Sequence, residues 1–234
     1  MTEATQDTPS RLQDINAQIA AAAKIARRDS SDIDLIAVSK TRSAEEIESL
    51  LGAGHRVFGE NRVQEAAVKW PALRADYPDV ELHLIGQLQS NKADEAVALF
   101  DCIHSLDRPS LVAALGKAMR GQGRKISCFI QVNIGDEPQK GGCRVADLPA
   151  LLDTARKAEI PVIGLMCLPP ADIEPAPFFA LLAELAMRNN LTELSMGMSD
   201  DFATAIMLGA THVRVGTALF GKRARAFQTE THEA

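Results

Sequence analysis

Leu35-Ile36-Ala37-Val38-Ser39-Lys40-Thr41-Arg42-Ser43-Ala44-Glu45-Glu46 decides how the chain is read. The run Leu35–Ser39 is short, apolar and rich in strand-forming residues, as a buried parallel strand is. Ser43 and Glu46 follow at capping-box spacing, so a helix opens there. A strand that runs directly into a capped helix is half of a βαβ unit, whose next strand lies parallel to the first.

Working outward, the same alternation recurs. Strands are expected at Leu35–Ser39, Arg56–Phe58, Leu82–Ile85, Cys102–Ser105, Ile126–Asn133, Val162–Leu168, Glu193–Met196 and His212–Val215, eight in all. Helical stretches lie between them. Asn61 with Gln64 resembles a further capping box, and Ser90, Asp107 and Ser199 are N-cap candidates. Upstream, Ser10 and Gln13 open a leading helix that carries Leu12, Ile15, Ile19 and Ala22 at helical spacing. Leu51-Gly52-Ala53-Gly54-His55 and Leu208-Gly209-Ala210-Thr211-His212 echo each other where a helix hands over to a strand. A repeated unit and a coincidence of helix-ending glycines both account for this echo.

Eight strand–helix units fit an open doubly wound sheet, but a closed (β/α)8 TIM barrel is their natural home. The expected architecture is therefore a single-domain α/β barrel over residues 10–225 with an extra N-terminal helix. A disordered tail is expected over 1–9 and a flexible one over 226–234. The 234 residues suit one barrel, which typically takes roughly 250.

Composition narrows the partners. A net charge of −6 argues against nucleic acid, which needs concentrated Lys and Arg. None of the four cysteines, Cys102, Cys128, Cys143 and Cys167, forms a C-x-x-C pair, so neither a zinc site nor a disulfide frame is expected. Residues 1–9 lack a secretory h-region, and no apolar stretch reaches the ~18 residues that span a bilayer. A cytoplasmic protein with reduced thiols, independent of metal and membrane, is the expectation.

Barrel chemistry sits at the C-terminal ends of strands and in the loops beyond them. Lys40 ends the first strand with the parity of Ile36 and Val38. It is either a solvated surface lysine or a desolvated amine able to attack a carbonyl. The second strand ends at Gly59-Glu60-Asn61. Beyond strands seven and eight, where barrels often bind phosphate, stand Gly197-Met198-Ser199 and Gly216-Thr217. Glycine lets backbone N–H groups approach an anion, although Ser199 also reads as a plain N-cap and Asp200 and Asp201 would repel one. Arg214 lies between Val213 and Val215. If the valines face the helices, Arg214 faces the barrel interior, where it either pairs with a carboxylate or meets a ligand. A lysine facing a phosphate cradle with an arginine between them suits an aldehyde carrying a phosphate. Pyridoxal 5′-phosphate (PLP), the active form of vitamin B6, fits best and a phosphorylated sugar aldehyde less well. A class I aldolase is disfavoured because nothing resembles a sugar-hydroxyl site.

These segments resemble the pyridoxal phosphate homeostasis protein family over nearly the whole chain. The resemblance rests on Ala37-Val38-Ser39-Lys40-Thr41, Phe58-Gly59-Glu60-Asn61, His83-Leu84-Ile85-Gly86, Leu88-Gln89-Ser90-Asn91-Lys92 and His104-Ser105-Leu106-Asp107-Arg108. It rests also on Gly164-Leu165-Met166, Ser195-Met196-Gly197-Met198-Ser199-Asp200-Asp201 and Arg214-Val215-Gly216-Thr217 through Phe220-Gly221. The resemblance implies a barrel like the N-terminal domain of alanine racemase, with PLP held as a Schiff base on Lys40. It implies phosphate contacts from Ser199, Gly216 and Thr217 and a pyridine-nitrogen contact from Arg214; Asn61 joins them as an expected cofactor contact. Arg62 and Gln87 depart from the family pattern at the pocket rim. The resemblance further implies a non-enzymatic carrier that buffers PLP or delivers it to PLP-dependent apo-enzymes, with no catalytic residue; a monomer is expected because no domain remains to build a racemase-like dimer. The alternative is a PLP-dependent amino-acid racemase or related enzyme. A racemase needs a second base, yet Tyr77, the one tyrosine, falls in an expected surface segment and no second domain is visible. His83 and His104 read either as that base or as strand histidines satisfied by their neighbours.

Overall fold

The computed structural model describes residues 7–221. The elements, in chain order, are α1 (Thr8–Ile25), β1 (Asp34–Val38), α2 (Ala44–Gly52), β2 (Val57–Glu60), α3 (Val63–Asp76), β3 (Glu81–Leu84), α4 (Ala93–Leu99) and β4 (Cys102–Leu106). Then follow α5 (Pro109–Gln122), β5 (Ser127–Val132), α6 (Leu148–Lys157), β6 (Val162–Cys167), α7 (Ala176–Arg188), β7 (Glu193–Ser195), α8 (Phe202–Met207), β8 (His212–Val215) and α9 (Thr217–Phe220). The eight strands close in sequence order, and β8 pairs with β1 through Leu35 beside Val213 and Ile36 beside Arg214. Closure removes both sheet edges and rules out the open-sheet alternative.

Strand parity sorts side chains into two compartments. Leu35, Ala37, Leu82, Leu84, Val213 and Val215 face outward into the shared core beneath the helices. Cys102, Phe129 and Met166 fill the barrel interior instead. Phe58 and Trp70 show how the shell is made: their rings pack 5.1 Å apart, joining β2 to α3. Such a pair contributes about 0.5–1.5 kcal/mol beyond its area.

Several starts and stops differ from expectation. The Ser43–Glu46 capping box forms in both directions. The leading helix starts at Thr8, with Asp7 as N-cap accepting from Ser10 N, so Ser10 lies inside the first turn. Ser90 opens a single 3-10 turn after Gln89. Asp107, Ser199 and Asn61 are not caps either: Arg108, Asp201 and Arg62 hold those positions without side-chain cap bonds. Gly54 (φ +90°) and Gly209 (φ +102°) take the left-handed conformation, whereas Gly52 stays helical. α1 packs on α8 and α9, and Arg28 Nη1 closes the end of α8 by donating to Ala210 O at 2.6 Å. Residues 1–6 and 222–234, which hold most of the two expected tails and the end of the barrel span, lie outside the described residues.

Candidate functional site

The strand ends converge on a cavity of about 290 Å³, lined by Val38, Lys40, Asn61, Ile85, Leu168, Met198, Ser199, Arg214, Gly216 and Thr217. The six residues singled out in the sequence therefore share one wall-to-wall space at the C-terminal end of the barrel. Its size suits a small ligand, at the low end of such sites.

Lys40 leaves β1 at a bend that is held from outside the barrel. Thr41 adopts φ +61°, costly for a β-branched residue, and its N–H donates to the Glu65 carboxylate. Lys69 Nζ donates to Ser39 O at 3.0 Å and also pairs with Glu60 Oε1 (2.7 Å) and Glu65 Oε1 (2.9 Å). Ser39 Oγ and Trp70 Nε1 donate to the same Glu60 oxygen. This buried network clamps the backbone on both sides of Lys40 to α3. Lys40 itself stays exposed at the cavity rim, not enclosed as the desolvated-amine reading anticipated.

On the neighbouring strand, Asn61 is set by a close approach. A Cβ on Gly86 would lie 2.2 Å from Asn61 O, so only glycine lets the two loops touch. Across the mouth, Gly197 (φ +93°) turns the chain where a side chain would strike Ala205 and Phe202. Asp201 Oδ1 accepts from Met198 N at 2.5 Å, so this carboxylate is spent on its own loop; burial, first of all, pushes its pKa up. The repulsion foreseen from Asp201 is thus weakened, while Asp200 is exposed. At the other loop, Gly216 precedes the single turn of α9, whose first N–H groups lack intrahelical partners.

Arg214 forms the floor. It is 4 % exposed. Nη1 donates to Ser195 Oγ (2.7 Å) and Nη2 to Cys167 O (3.0 Å). No carboxylate lies within ion-pair distance of it among the described residues, which removes the structural ion-pair reading. A cation whose hydrogen bonds all go to neutral acceptors is costly to bury; the Asp201 carboxylate, beyond ion-pair distance, favours its charged form but does not outweigh burial. Burial accordingly pushes its pKa down.

Beneath Arg214 the interior is polar in a way the sequence reading missed. Ser195 Oγ lies 2.8 Å from His104 Nδ1, His104 Nε2 lies 2.9 Å from His83 Nδ1, and His83 Nε2 lies 2.9 Å from Glu81 Oε1. The available signal was parity: these residues occupy inward positions on β3, β4 and β7. His83 and His104 are therefore strand histidines satisfied by each other. With Cys102 they bring three ligand atoms within 4.8 Å, but the facing nitrogens already bond each other and burial pushes the Cys102 thiol well up, which disfavours thiolate ligation. All four cysteines are free and buried. Tyr77 caps the end of α3, at the opposite end of the barrel from the cavity, half-buried beneath Arg56. Arg62 and Gln87 line an adjoining cavity of about 600 Å³ that shares Asn61 but not Lys40.

Fold and cavity together define the class: a (β/α)8 barrel whose ligand cavity joins a strand-one lysine to the loops after strands seven and eight. Comparison with known proteins makes this specific. Residues 11–224 match the alanine racemase N-terminal domain model. The pyridoxal phosphate homeostasis protein of Pseudomonas aeruginosa is 41% identical over 215 residues, 89% of this chain and 93% of that one. Its Escherichia coli K12 counterpart is 36% identical over 229 residues, 93% and 97% of the two chains. PipY of Synechococcus elongatus, solved with PLP bound, superposes with a TM-score of 0.75 at 41% identity, over 87% of this chain and 100% of that one. The chain belongs to the alanine racemase N-terminal domain family and, within it, to the pyridoxal phosphate homeostasis proteins.

Proposed function

We propose that this protein binds PLP in the 290 Å³ cavity, attaches it covalently through Lys40 Nζ, and holds it for release as part of intracellular PLP homeostasis. The observation that carries this reading is the floor of the cavity: Arg214, buried without a carboxylate partner, faces the same space as the lysine and the two glycine–hydroxyl loops. The PLP-bound PipY, related at 41% identity, supports the same ligand. Bound there, PLP supplies an electrophilic aldehyde carbon. The protein's own groups do the rest. Lys40 offers the amine, and Ser199, Gly216 and Thr217 offer hydroxyl and N–H donors to the phosphate. Arg214 would supply a cation for the pyridine nitrogen, and Asn61 would line the space for the ring.

That cation opposes protonation of the ring nitrogen and so weakens the cofactor as an electron sink. Lys40 is also the one general base among the cavity-lining residues described, whereas racemisation needs a proton taken from one face and returned on the other. The proposed role is accordingly that of a carrier, monomeric and cytoplasmic, which passes PLP to PLP-dependent apo-enzymes. Holo-protein incubated with L-amino acids in D2O should exchange Cα hydrogen far below one turnover per second, the low end of ordinary enzymes, yet should activate an added apo-enzyme. Exchange at or above that rate, abolished by Lys40→Ala, would establish the racemase alternative instead.

A further inference from the structure

With both imidazoles neutral, the polar chain beneath Arg214 has one consistent set of proton positions. Glu81 sits at the N-terminal end of β3, its side chain half exposed, and its bond with His83 holds its pKa down. As a carboxylate it only accepts, so His83 donates through Nε2–H. His83, if neutral, then has a bare Nδ1, which accepts from His104 Nε2–H. Burial, more than any neighbouring charge, keeps His104 neutral, so its Nδ1 is bare and accepts from the Ser195 hydroxyl. Ser195, its one proton spent, presents only lone pairs to Arg214. Each hydrogen bond in the sequence Arg214, Ser195, His104, His83, Glu81 is then donated away from the cavity, and the remaining N–H groups of Arg214 are left for the cavity side.

We propose that Glu81, His83, His104 and Ser195 are positioning residues: a one-way hydrogen-bond chain along the barrel interior that fixes the Arg214 guanidinium toward the ligand cavity, its direction set by the Glu81 carboxylate at the opposite end of the barrel. Ser195 Oγ and Cys167 O hold the two Nη atoms, which defines the guanidinium plane. A chain of this kind polarises each of its members. Its direction also means that the interior offers the ring nitrogen no proton. The effect on ligand rests on the PLP reading above; the direction of the chain does not.

Two-bond 1H–15N correlation spectra of the full chain labelled at histidine, without PLP, test the direction. Both His83 and His104 should be Nε2–H tautomers with bare Nδ1. Either residue found as Nδ1–H, or stoichiometric metal bound to the two imidazoles, would overturn the chain. Ser195→Ala should shift the His104 Nδ1 signal, displace the visible absorption maximum of bound PLP and weaken PLP retention about tenfold, and Ser195→Thr should restore all three. A folded Ser195→Ala protein with an unchanged band and unchanged retention would overturn the positioning role. Failure of the unaltered protein to retain PLP at all would overturn the PLP reading while leaving the tautomer result standing.

Discussion

Arg214 shows how much one side chain carries. It occupies an inward position of β8, where Val213 and Val215 bury against the helices and leave their neighbour no outward path. Its only acceptors among the described residues are a hydroxyl and a carbonyl, so a ligand acceptor would complete its shell. Arg214→Ala should therefore weaken PLP retention roughly 10- to 100-fold, the worth of one charged hydrogen bond, while covalent capture by Lys40 persists. Equilibrium dialysis of the folded variant checks this, and unchanged affinity would return Arg214 to a structural role. Its orientation was legible from parity alone. Its partners were not, because alternation tells which face a residue occupies but not which faces meet across a closed barrel. Ser195, His104 and His83 stand far apart in sequence and become neighbours only once strand stagger is fixed.

At the scale of elements, the sequence carried the order of strands and helices and lost the boundaries. Ser43 was readable as a cap because Glu46 reciprocates, while Asp107 turns instead to Arg108, its ion-pair partner at 2.6 Å. The clamp between β1 and α3 was invisible for a different reason. Glu60 and Lys69 look like ordinary charges in the sequence, yet Lys69 is 12% exposed at its side chain and Glu60 is fully buried. Removing one partner leaves a buried charge alone, so Lys69→Ala should cost about 3–5 kcal/mol and loosen the bend that presents Lys40. Chemical denaturation checks the stability, and slower covalent capture of PLP by the folded fraction checks the bend. At the next loop, Gly86→Ala should displace Asn61, because the new Cβ would lie 2.2 Å from Asn61 O. Weakened PLP binding would accompany a loss of about 1–3 kcal/mol, the usual cost of forcing atoms into a packed site.

For the molecule as a whole, two histidines of the barrel interior and the part-buried His55 set an acid limit. Burial lowers the pKa of His55, lowers that of His104 well below its ordinary value, and takes His212 down to about 3. Below about pH 6.5 the unfolded chain binds protons at these sites that the folded barrel refuses. Stability is therefore complete above that pH and is lost as pH falls from about 6.5 toward 3. Asp34, pushed up chiefly by burial, opposes this loss only near the acid end. Urea denaturation should show stability falling by about 2–4 kcal/mol between pH 6.5 and 5, since each refused proton costs about 1.4 kcal/mol per pH unit; a flat profile would mean that the histidines titrate normally. The polar chain of the barrel interior leads up to the 290 Å³ cavity, and the account stands on what Lys40 does there. Purified protein loaded with PLP, reduced with borohydride, digested and mapped by mass spectrometry tests that claim most directly. The account predicts a stable pyridoxyl adduct on Lys40 and its absence in Lys40→Ala, whereas a stoichiometric adduct on another lysine, with Lys40 unmodified, would contradict it.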